Sequence, residues 1–271
     1  MKTHHLDALA LASTLAISSV TLACTASERS SFPDGELVDL SHPYDVNSIF
    51  WPTAKPFRLE TVADGITAQG YYYAANDFFT SEHGGTHLDA PVHFAQGRSP
   101  VDQIALDRLI GPALVVDVSA KSAADADYQV TVADLEAWER DNGRIEPSAI
   151  LLLRTGFSAR WPDAARYLGT SERGPDAVPK LRFPGLQPEA ARWLVANRPI
   201  KSIGIDTASI DYGQSTLFES HRALYAHEIP AFENLTALDR LPARGASIVA
   251  LPMKIAGGSG APLRAVAILP R

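Results

Sequence analysis

The chain has 271 residues, of which 46% are hydrophobic and 20% charged, with 18 glycines and 19 prolines. That balance is typical of a globular protein rich in turns and excludes a disordered chain. The formal net charge is −7 and no run of Lys or Arg occurs, so no nucleic-acid partner is expected.

The first 26 residues predict an export signal. Lys2 precedes the apolar stretch ALALASTLAISSVTLA, and small residues follow around CTAS. At roughly 16 residues, this stretch suits the core of a signal peptide better than a membrane span. Cys24 occupies the place of the lipidated residue in a lipoprotein signal, and cleavage after Ala26 is the alternative. The chain is therefore predicted to be exported, to the periplasm or with a lipid anchor at Cys24, and residues 27–35 are a polar tether.

Cysteine usage limits the chemistry of the mature chain. Cys24 is the only cysteine, so residues 27–271 can form no disulfide and offer no thiolate ligand. Any metal ion must then be held by nitrogen and oxygen atoms. A cysteine nucleophile is excluded for the same reason.

The N-terminal half of the mature chain is predicted to be rich in β-structure. β-branched and aromatic residues indicate strands at 36–41, 57–62 and 66–74 and a buried strand at 111–118. A helix is predicted to begin at Val132, with Thr131 as its N-cap, and to end at Asn142-Gly143.

Strands and helices alternate in the C-terminal half. The predicted elements are a strand at 149–154, a helix from Pro188 to Asn197, and strands at 201–206, 247–252 and 265–269. This order favours one mixed α/β domain over residues 36–271, with helices outside a sheet or barrel-like core. Residues 155–185 show little periodicity, which predicts a long loop, either an active-site lid or a surface excursion.

Residues 83–93 contain several side chains that can bind a metal ion or transfer a proton. His83, His87, Asp89 and His93 lie within it, whereas the rest of the mature chain has only three histidines. Gly84-Gly85 and Pro91 disfavour a helix, so the segment is predicted to be a glycine turn followed by extended chain. Side chains two residues apart then share one face, and the turn can return His83 to it.

Two imidazoles and a carboxylate that converge in this way suit Zn²⁺, Mn²⁺ or Fe²⁺. The alternative, a set of surface or core histidines, is less consistent with such a cluster. Further along the chain, His221 is predicted on a short helix and Glu233 in a strand after Pro230. Spacing alone does not decide whether His221 or His227 completes the site.

The sequence HGGTHLDAPVHF resembles the HxGTHxDxPxHF signature of the metal-dependent cyclase and kynurenine formamidase family. The later segments GIDTASID, SHRALYAHEIPAFENLTALDRLP and ALPMKIAGGSGAPLRAVAIL resemble further blocks of that family in the same order. FWPTAKPF is similar to its N-terminal tryptophan-proline motif, without the glycine that usually follows.

The resemblance implies a swivelling β/β/α fold and a homodimer or homotetramer. It also implies one metal at His83, His87 and Asp89, and a second at Asp89, His221 and Glu233. His93 would be the catalytic acid and base, and His227 a surface residue. The metal would be zinc, or manganese in some members. Asp206 and Asp211 are expected to be structural or to support the ligands.

The implied reaction is hydrolysis of an aryl formamide or cyclic amide by metal-activated water. N-formylkynurenine is the first expected substrate, but the predicted export favours a cyclic amide such as isatin. A metal-binding or ligand-binding exported protein without turnover is the rival interpretation. Phe50, Trp51, Phe78 and Phe79 are candidates for an aromatic substrate wall or for the core.

Overall fold

A computed structural model describes residues 35–270 of the chain. The predicted export signal, Cys24 and nearly all of the tether lie outside these residues. The strands are β1 (Gly35–Asp39), β2 (Arg58–Ile66), β3 (Tyr72–Phe79), β4 (His87–Asp89), β5 (Ile110–Asp117), β6 (Gln129–Val130), β7 (Ile150–Arg154), β8 (Gly185–Leu186), β9 (Ser202–Ile205), β10 (Ala231–Glu233), β11 (Ser247–Pro252) and β12 (Gly260–Pro270). The α-helices are α1 (Ser119–Ala124), α2 (Val132–Asn142), α3 (Ala164–Leu168), α4 (Pro188–Asn197) and α5 (Glu219–Tyr225).

Seven strands form a closed, barrel-like sheet. Their order is β12-β11-β5-β7-β9-β10-β4, and β4 pairs again with β12. The run from β5 to β10 is parallel, and the remaining pairs are antiparallel. β1 adds to the C-terminal part of β12. This architecture confirms the mixed α/β fold with a barrel-like core that the sequence predicted.

Alternating side chains of the sheet fill two separate cores. On β7, Ile150 and Leu152 belong to a cluster with residues from β4, β10, β11 and β12, which places them inside the closed sheet. Leu151 and Leu153 face the other way and pack with residues of α2, α4 and α5. Successive side chains of a strand point to opposite faces, so a fully apolar strand serves both cores.

The two predicted long helices form where their caps indicated. The Thr131 hydroxyl accepts a hydrogen bond from Asp134 N, and Asp134 accepts one from Thr131 N, which completes a capping box at the start of α2. Pro188 opens α4 at its first helical position. α4 packs against α5, the helix that carries His221. Among the described residues, no helix has both the length and the apolar character needed to cross a membrane.

One strand prediction is wrong. Residues 66–74 are not a single strand, because β2 ends at Ile66 and β3 begins at Tyr72. Gly70 has a φ of 86° in the connecting turn, and Thr67 N donates to the carbonyl of Tyr71. A positive φ is easily adopted only by glycine, and here it joins two strands in a hairpin.

The prediction of a long structureless loop at residues 155–185 is also wrong. The segment contains α3 and two 3₁₀ helices, Phe157–Arg160 and Pro175–Lys180. Its buried aromatic and aliphatic side chains form a third core cluster with Ile49. The low periodicity arises because this small core is built from short turns and not from a regular helix face.

Candidate metal centre and active site

Three strands and one helix bring the predicted site residues together. His87 and Asp89 lie on β4, which pairs with β10 on one side and β12 on the other. In this register His87 lies opposite Glu233 of β10. His221 lies on α5, one face of which is buried against the sheet. Residues that are far apart in sequence therefore meet around the short strand β4.

The carboxylate of Asp89 is at the centre of the cluster. Its Oδ1 lies 2.6 Å from Nδ1 of His83 and 3.1 Å from Nε2 of His87. Its Oδ2 lies 3.4 Å from Nε2 of His221 and accepts a hydrogen bond of 3.0 Å from the Tyr225 hydroxyl. The two oxygens of one buried carboxylate thus face two different sets of side chains.

His87 and Glu233 complete the buried part of the cluster. His87 Nδ1 is 2.9 Å from the carbonyl of Gly85, which directs Nε2 towards Glu233 Oε2 at 3.5 Å. Glu233 Oε1 lies 3.1 Å from His221 Nε2 and accepts a hydrogen bond from Ile210 N. Glu233 is only 3% exposed, so its charge is compensated inside the protein.

Asp211 orients His221. Its Oδ2 accepts from the backbone N–H of His221 at 3.1 Å and lies 2.5 Å from the Nδ1 of the same residue. Nδ1 therefore carries a proton, and Nε2 faces Asp89 and Glu233. Asp206 has a different position, because it accepts hydrogen bonds from Thr155 and Gly156 at the end of β7.

His93 lies in the cluster, but it is not on extended chain as the sequence predicted. β4 ends at Asp89, and Pro91–His93 form a 3₁₀ helix instead of continuing the extended chain. Pro91 opens that turn because its fixed φ suits a first helical position. The His93 ring stacks on His83 at 3.8 Å between centroids, with Nε2 3.9 Å from Asp89 Oδ2.

Burial, with a smaller effect of the neighbouring histidines, lowers the pKa of His93 to about 4, although the charge of Asp89 opposes the change. The pKa of His93 is therefore lower than the near-neutral value of a free imidazole, and its ring is neutral at pH 7. A neutral imidazole can accept a proton, and its protonated form is a good donor.

Each ionisable group of the cluster changes the pKa of its neighbours. Burial opposes ionisation of Asp89, but His83 and the other imidazoles hold the pKa of Asp89 well below its usual range. Burial and the charge of Asp89 raise the pKa of Glu233. Burial alone would lower the pKa of His221, but the hydrogen bonds that its ring donates to Asp211, Asp89 and Glu233 raise it well above its usual value. Positive charge is therefore strongly favoured among these carboxylates.

This donor set fits a divalent cation. The ligand atoms of His87, Asp89 and Glu233 lie within 4.8 Å of one another, as do those of His83, Asp89 and His93. Imidazole nitrogen and carboxylate oxygen are the donors that zinc and manganese take in proteins. A cation here would replace the protons that otherwise balance the buried carboxylates.

The cluster lies in a pocket with a volume of about 310 Å³ and several aromatic walls. Phe50 and Trp51, two of the residues for which the sequence left a substrate wall and the core as alternatives, line it. Phe94 and Phe218 also line it and stack on each other at 4.9 Å between ring centroids. Phe79 lies on β3 and is 38% exposed, and it is not among the described residues that line this pocket.

Comparison with known proteins agrees with this geometry. The Cyclase family model matches residues 38–212. The chain is 34% identical to the isatin hydrolase of Roseibium aggregatum over 75% of its own length and 78% of that protein. The chain belongs to the cyclase family.

Other members of the cyclase family extend the comparison. The kynurenine formamidase of Bacillus cereus is 28% identical over 85% of this chain and 96% of that protein. The structure of isatin hydrolase A from Ralstonia solanacearum superposes with a TM-score of 0.77 at 35% identity, over 86% of this chain and 92% of that one. An isatin hydrolase bound to the product analogue thioisatinate gives 0.78 at 30% identity, over 87% and 93%. The protein is a metal-dependent amide hydrolase of this family.

Two hydrogen-bonding residues of this cyclase-family site were missed by the sequence reasoning. Burial and Asp89 raise the pKa of Tyr225 well above its usual value, so its hydroxyl remains a donor to Asp89. Asn234 donates to the Gly85 carbonyl at 2.7 Å and accepts from Tyr167 at 2.8 Å. Tyr225 lies four residues after His221 in α5, a helical spacing that could have indicated it.

His227 lies on the exposed surface after α5, where its Nδ1 is 3.0 Å from the Ala223 carbonyl. The structure thus separates His221, which lies in the cluster, from His227, which does not. The spacing of the two residues alone had left that choice open.

Proposed function

We propose that this protein opens the amide bond of a cyclic aryl amide of the isatin type, with two divalent cations. The observation that carries the proposal is the five-residue cluster of imidazoles and carboxylates in an aromatic-walled pocket, with the neutral His93 beside it. The similarity to isatin hydrolases in both sequence and structure supports the choice of substrate class.

His83, His87 and Asp89 would hold one ion through imidazole nitrogens and Asp89 Oδ1. A second ion would be held by His221 and Glu233 together with Asp89, since the two oxygens of Asp89 face these two groups of side chains. Zinc is the first choice and manganese the second for such a donor set. A bound ion would supply Lewis acidity, which lowers the pKa of water and polarises an amide carbonyl.

His93 is the proposed catalytic acid and base. Its ring lies in the pocket and its burial keeps it neutral, so it can take a proton from the attacking water. Once protonated, it can pass that proton to the nitrogen that leaves the carbonyl carbon. The C–N bond breaks, a C–O bond forms, and the product carries a carboxylate and an amine.

Trp51, Phe94 and Phe218 are proposed to bind the aryl ring. All three line the pocket, and the Trp51 and Phe218 ring centroids are 6.4 Å apart. Aromatic side chains favour a flat ring by offset or edge contact and keep water from the reacting bond. The folded segment 155–185 contacts these aromatic side chains, because the Phe183 ring packs edge-on against Trp51 with 6.3 Å between the ring centroids.

Hydrolysis of a linear aryl formamide such as N-formylkynurenine is the second candidate. The observation that favours it is the match to kynurenine formamidase over 96% of that protein. Both reactions use the same attack on an amide carbonyl. We also propose that the protein acts after export, in the periplasm or anchored through a lipid at Cys24, a location that suits a cyclic amide from outside the cell.

We further propose a homodimer that forms through the β2–β3 hairpin. Leu59, Ile66, Tyr72 and Phe78 lie on one face of it, and each is more than half exposed. In the described structure, β2 and β3 pair only with each other. An isolated two-stranded hairpin is only marginally stable in water, and an apolar face of this kind is typical of a protein interface. A second copy of the chain can cover it.

The test is hydrolysis by the purified protein supplied with Zn²⁺ or Mn²⁺. We expect metal-dependent opening of isatin, followed by absorbance, at a higher kcat/KM than release of formate from N-formylkynurenine. The reverse order would favour the second candidate. If neither substrate is turned over by protein that binds metal, both proposed substrates are wrong.

The His93→Ala variant tests whether the hydrolytic activity arises at this site. We expect it to retain its metal content but to lose hydrolysis by a factor of roughly 10² to 10⁴, the usual contribution of a general acid and base. His227→Ala removes an exposed histidine and is the matched control, expected to keep full activity. Loss of metal together with activity in His93→Ala would instead make His93 a ligand, which its proximity to His83 and Asp89 allows geometrically.

A further inference from the structure

Ser259 and Glu82 lie beside His83 on the side opposite Asp89. Ser259 Oγ is 2.8 Å from His83 Nε2, and Glu82 Oε2 is 2.6 Å from Ser259 Oγ and 3.1 Å from Ser259 N. Neither residue belongs to the set of ligands proposed above.

The direction of these hydrogen bonds follows from the donors available. A carboxylate only accepts, so both the hydroxyl and the backbone N–H of Ser259 donate to Glu82. Because the hydroxyl proton is used in the hydrogen bond to Glu82, Ser259 Oγ can only accept a hydrogen bond from His83 Nε2. Nε2 must therefore carry a proton, and Nδ1, which lies 2.6 Å from Asp89 Oδ1, is the nitrogen left to bind a cation.

The backbone around Ser259 is built to approach His83 closely. A Cβ atom at Gly260 would lie 2.5 Å from His83 Cε1 and 2.6 Å from the Leu88 carbonyl oxygen, so only glycine fits. Ala90 N donates to the Ser259 carbonyl at 2.9 Å, which fixes the serine against the end of β4. The segment GGSG at 257–260 therefore holds its hydroxyl at a defined place next to the ring.

We propose that Ser259 and Glu82 are positioning residues that hold His83 in the Nε2–H tautomer and so present Nδ1 to the metal centre. This inference rests on the proposed metal-dependent function. Groups that fix the tautomer of a ligating imidazole usually change metal affinity by 10- to 100-fold when removed. Glu82 acts through Ser259, because without it the hydroxyl is free to donate to Nε2 and to favour the other tautomer.

The test is a double-mutant cycle in Zn²⁺ affinity, measured by competition with a chelator dye on the full chain. Ser259→Ala and Glu82→Ala are each expected to weaken binding 10- to 100-fold. The double variant should be no weaker than Ser259→Ala alone. Additive losses would overturn the relay through Ser259, and wild-type affinity in Ser259→Ala would overturn the positioning role.

Asp102→Ala is the matched control for disturbance of the same segment. Asp102 accepts a hydrogen bond from Gly257 N at 2.9 Å, and this contact does not involve His83. We expect its Zn²⁺ affinity to equal that of the wild type. A loss as large as that of Ser259→Ala would show that the segment, and not the tautomer, controls affinity, which would overturn the proposal.

The tautomer can be read directly from ¹⁵N chemical shifts of His83 in the zinc-loaded protein. We expect a protonated Nε2 in the wild type, and a proton on Nδ1 would overturn the proposal. The outcomes separate the two claims. If the wild type binds no zinc, the proposed function fails, whereas if it binds zinc and Ser259→Ala binds it equally, only the positioning role fails.

Discussion

Asp89 shows at the scale of single residues what a sequence pattern can and cannot predict. The signature from His83 to His93 identified Asp89 and its neighbours in sequence as one cluster. Its hydrogen bond from Tyr225 joins residues 136 positions apart, and no local spacing could predict that contact. Short-range chemistry is visible in sequence, whereas the buried hydrogen bonds that orient it depend on how β4 and α5 pack.

His42 gives a prediction for the pH dependence of stability. Its ring stacks on Trp161 at 4.1 Å, and burial lowers its pKa from 6.5 to about 4, although Asp39 opposes the change. The unfolded chain takes up this proton near pH 6.5, whereas the folded protein takes it up only near pH 4. Stability is therefore lost as the pH falls between these values, by about 3 kcal/mol at 1.36 kcal/mol per pKa unit.

The measurement is urea unfolding of metal-free wild type and His42→Phe from pH 7 to pH 4. The phenylalanine keeps an aromatic ring against Trp161 but cannot be protonated. We expect the wild type to lose about 3 kcal/mol more than the variant over this range. His227→Phe, which changes an exposed histidine, should follow the wild type. Equal pH dependence in wild type and His42→Phe would contradict the assignment.

Among the secondary-structure elements, those with strong end signals were predicted well. The capping box at Thr131 and the proline at position 188 fixed the starts of two helices, and apolar runs located the central strands. The hairpin at residues 58–79 was misread because Gly70 interrupts what appears to be a continuous aromatic strand. His93 was misplaced for a similar reason, since Pro91 ends the extended chain by starting a 3₁₀ turn.

The hairpin carries the prediction that belongs to this scale. Leu59 and Phe78 are a cross-strand pair, so Leu59→Glu combined with Phe78→Lys places opposite charges side by side and preserves the hairpin. We expect the wild type to be a dimer and this variant a monomer by size-exclusion chromatography with light scattering. Leu106→Glu changes an equally exposed leucine outside the hairpin and should remain a dimer. A monomeric wild type would contradict the proposal.

At the scale of the whole molecule, the fold class was predictable and the closure of the sheet was not. Alternating strands and helices indicated a mixed α/β domain. The pairing of β4 with both β10 and β12 closes the sheet and brings His87 opposite Glu233, and it joins segments from the two ends of the domain. Such non-local pairing depends on the packing of the complete chain, which is why the second half of the site followed from resemblance and not from spacing.

Metal content is the most direct test of the central claim that this cluster is a metal centre. The protein is loaded with Zn²⁺, freed of excess by gel filtration and measured by inductively coupled plasma mass spectrometry. We expect two ions per chain in the wild type and close to one in Glu233→Ala, because this substitution removes a ligand of one ion only. A wild type without bound metal, or a stoichiometry unaffected by Glu233→Ala, would contradict it.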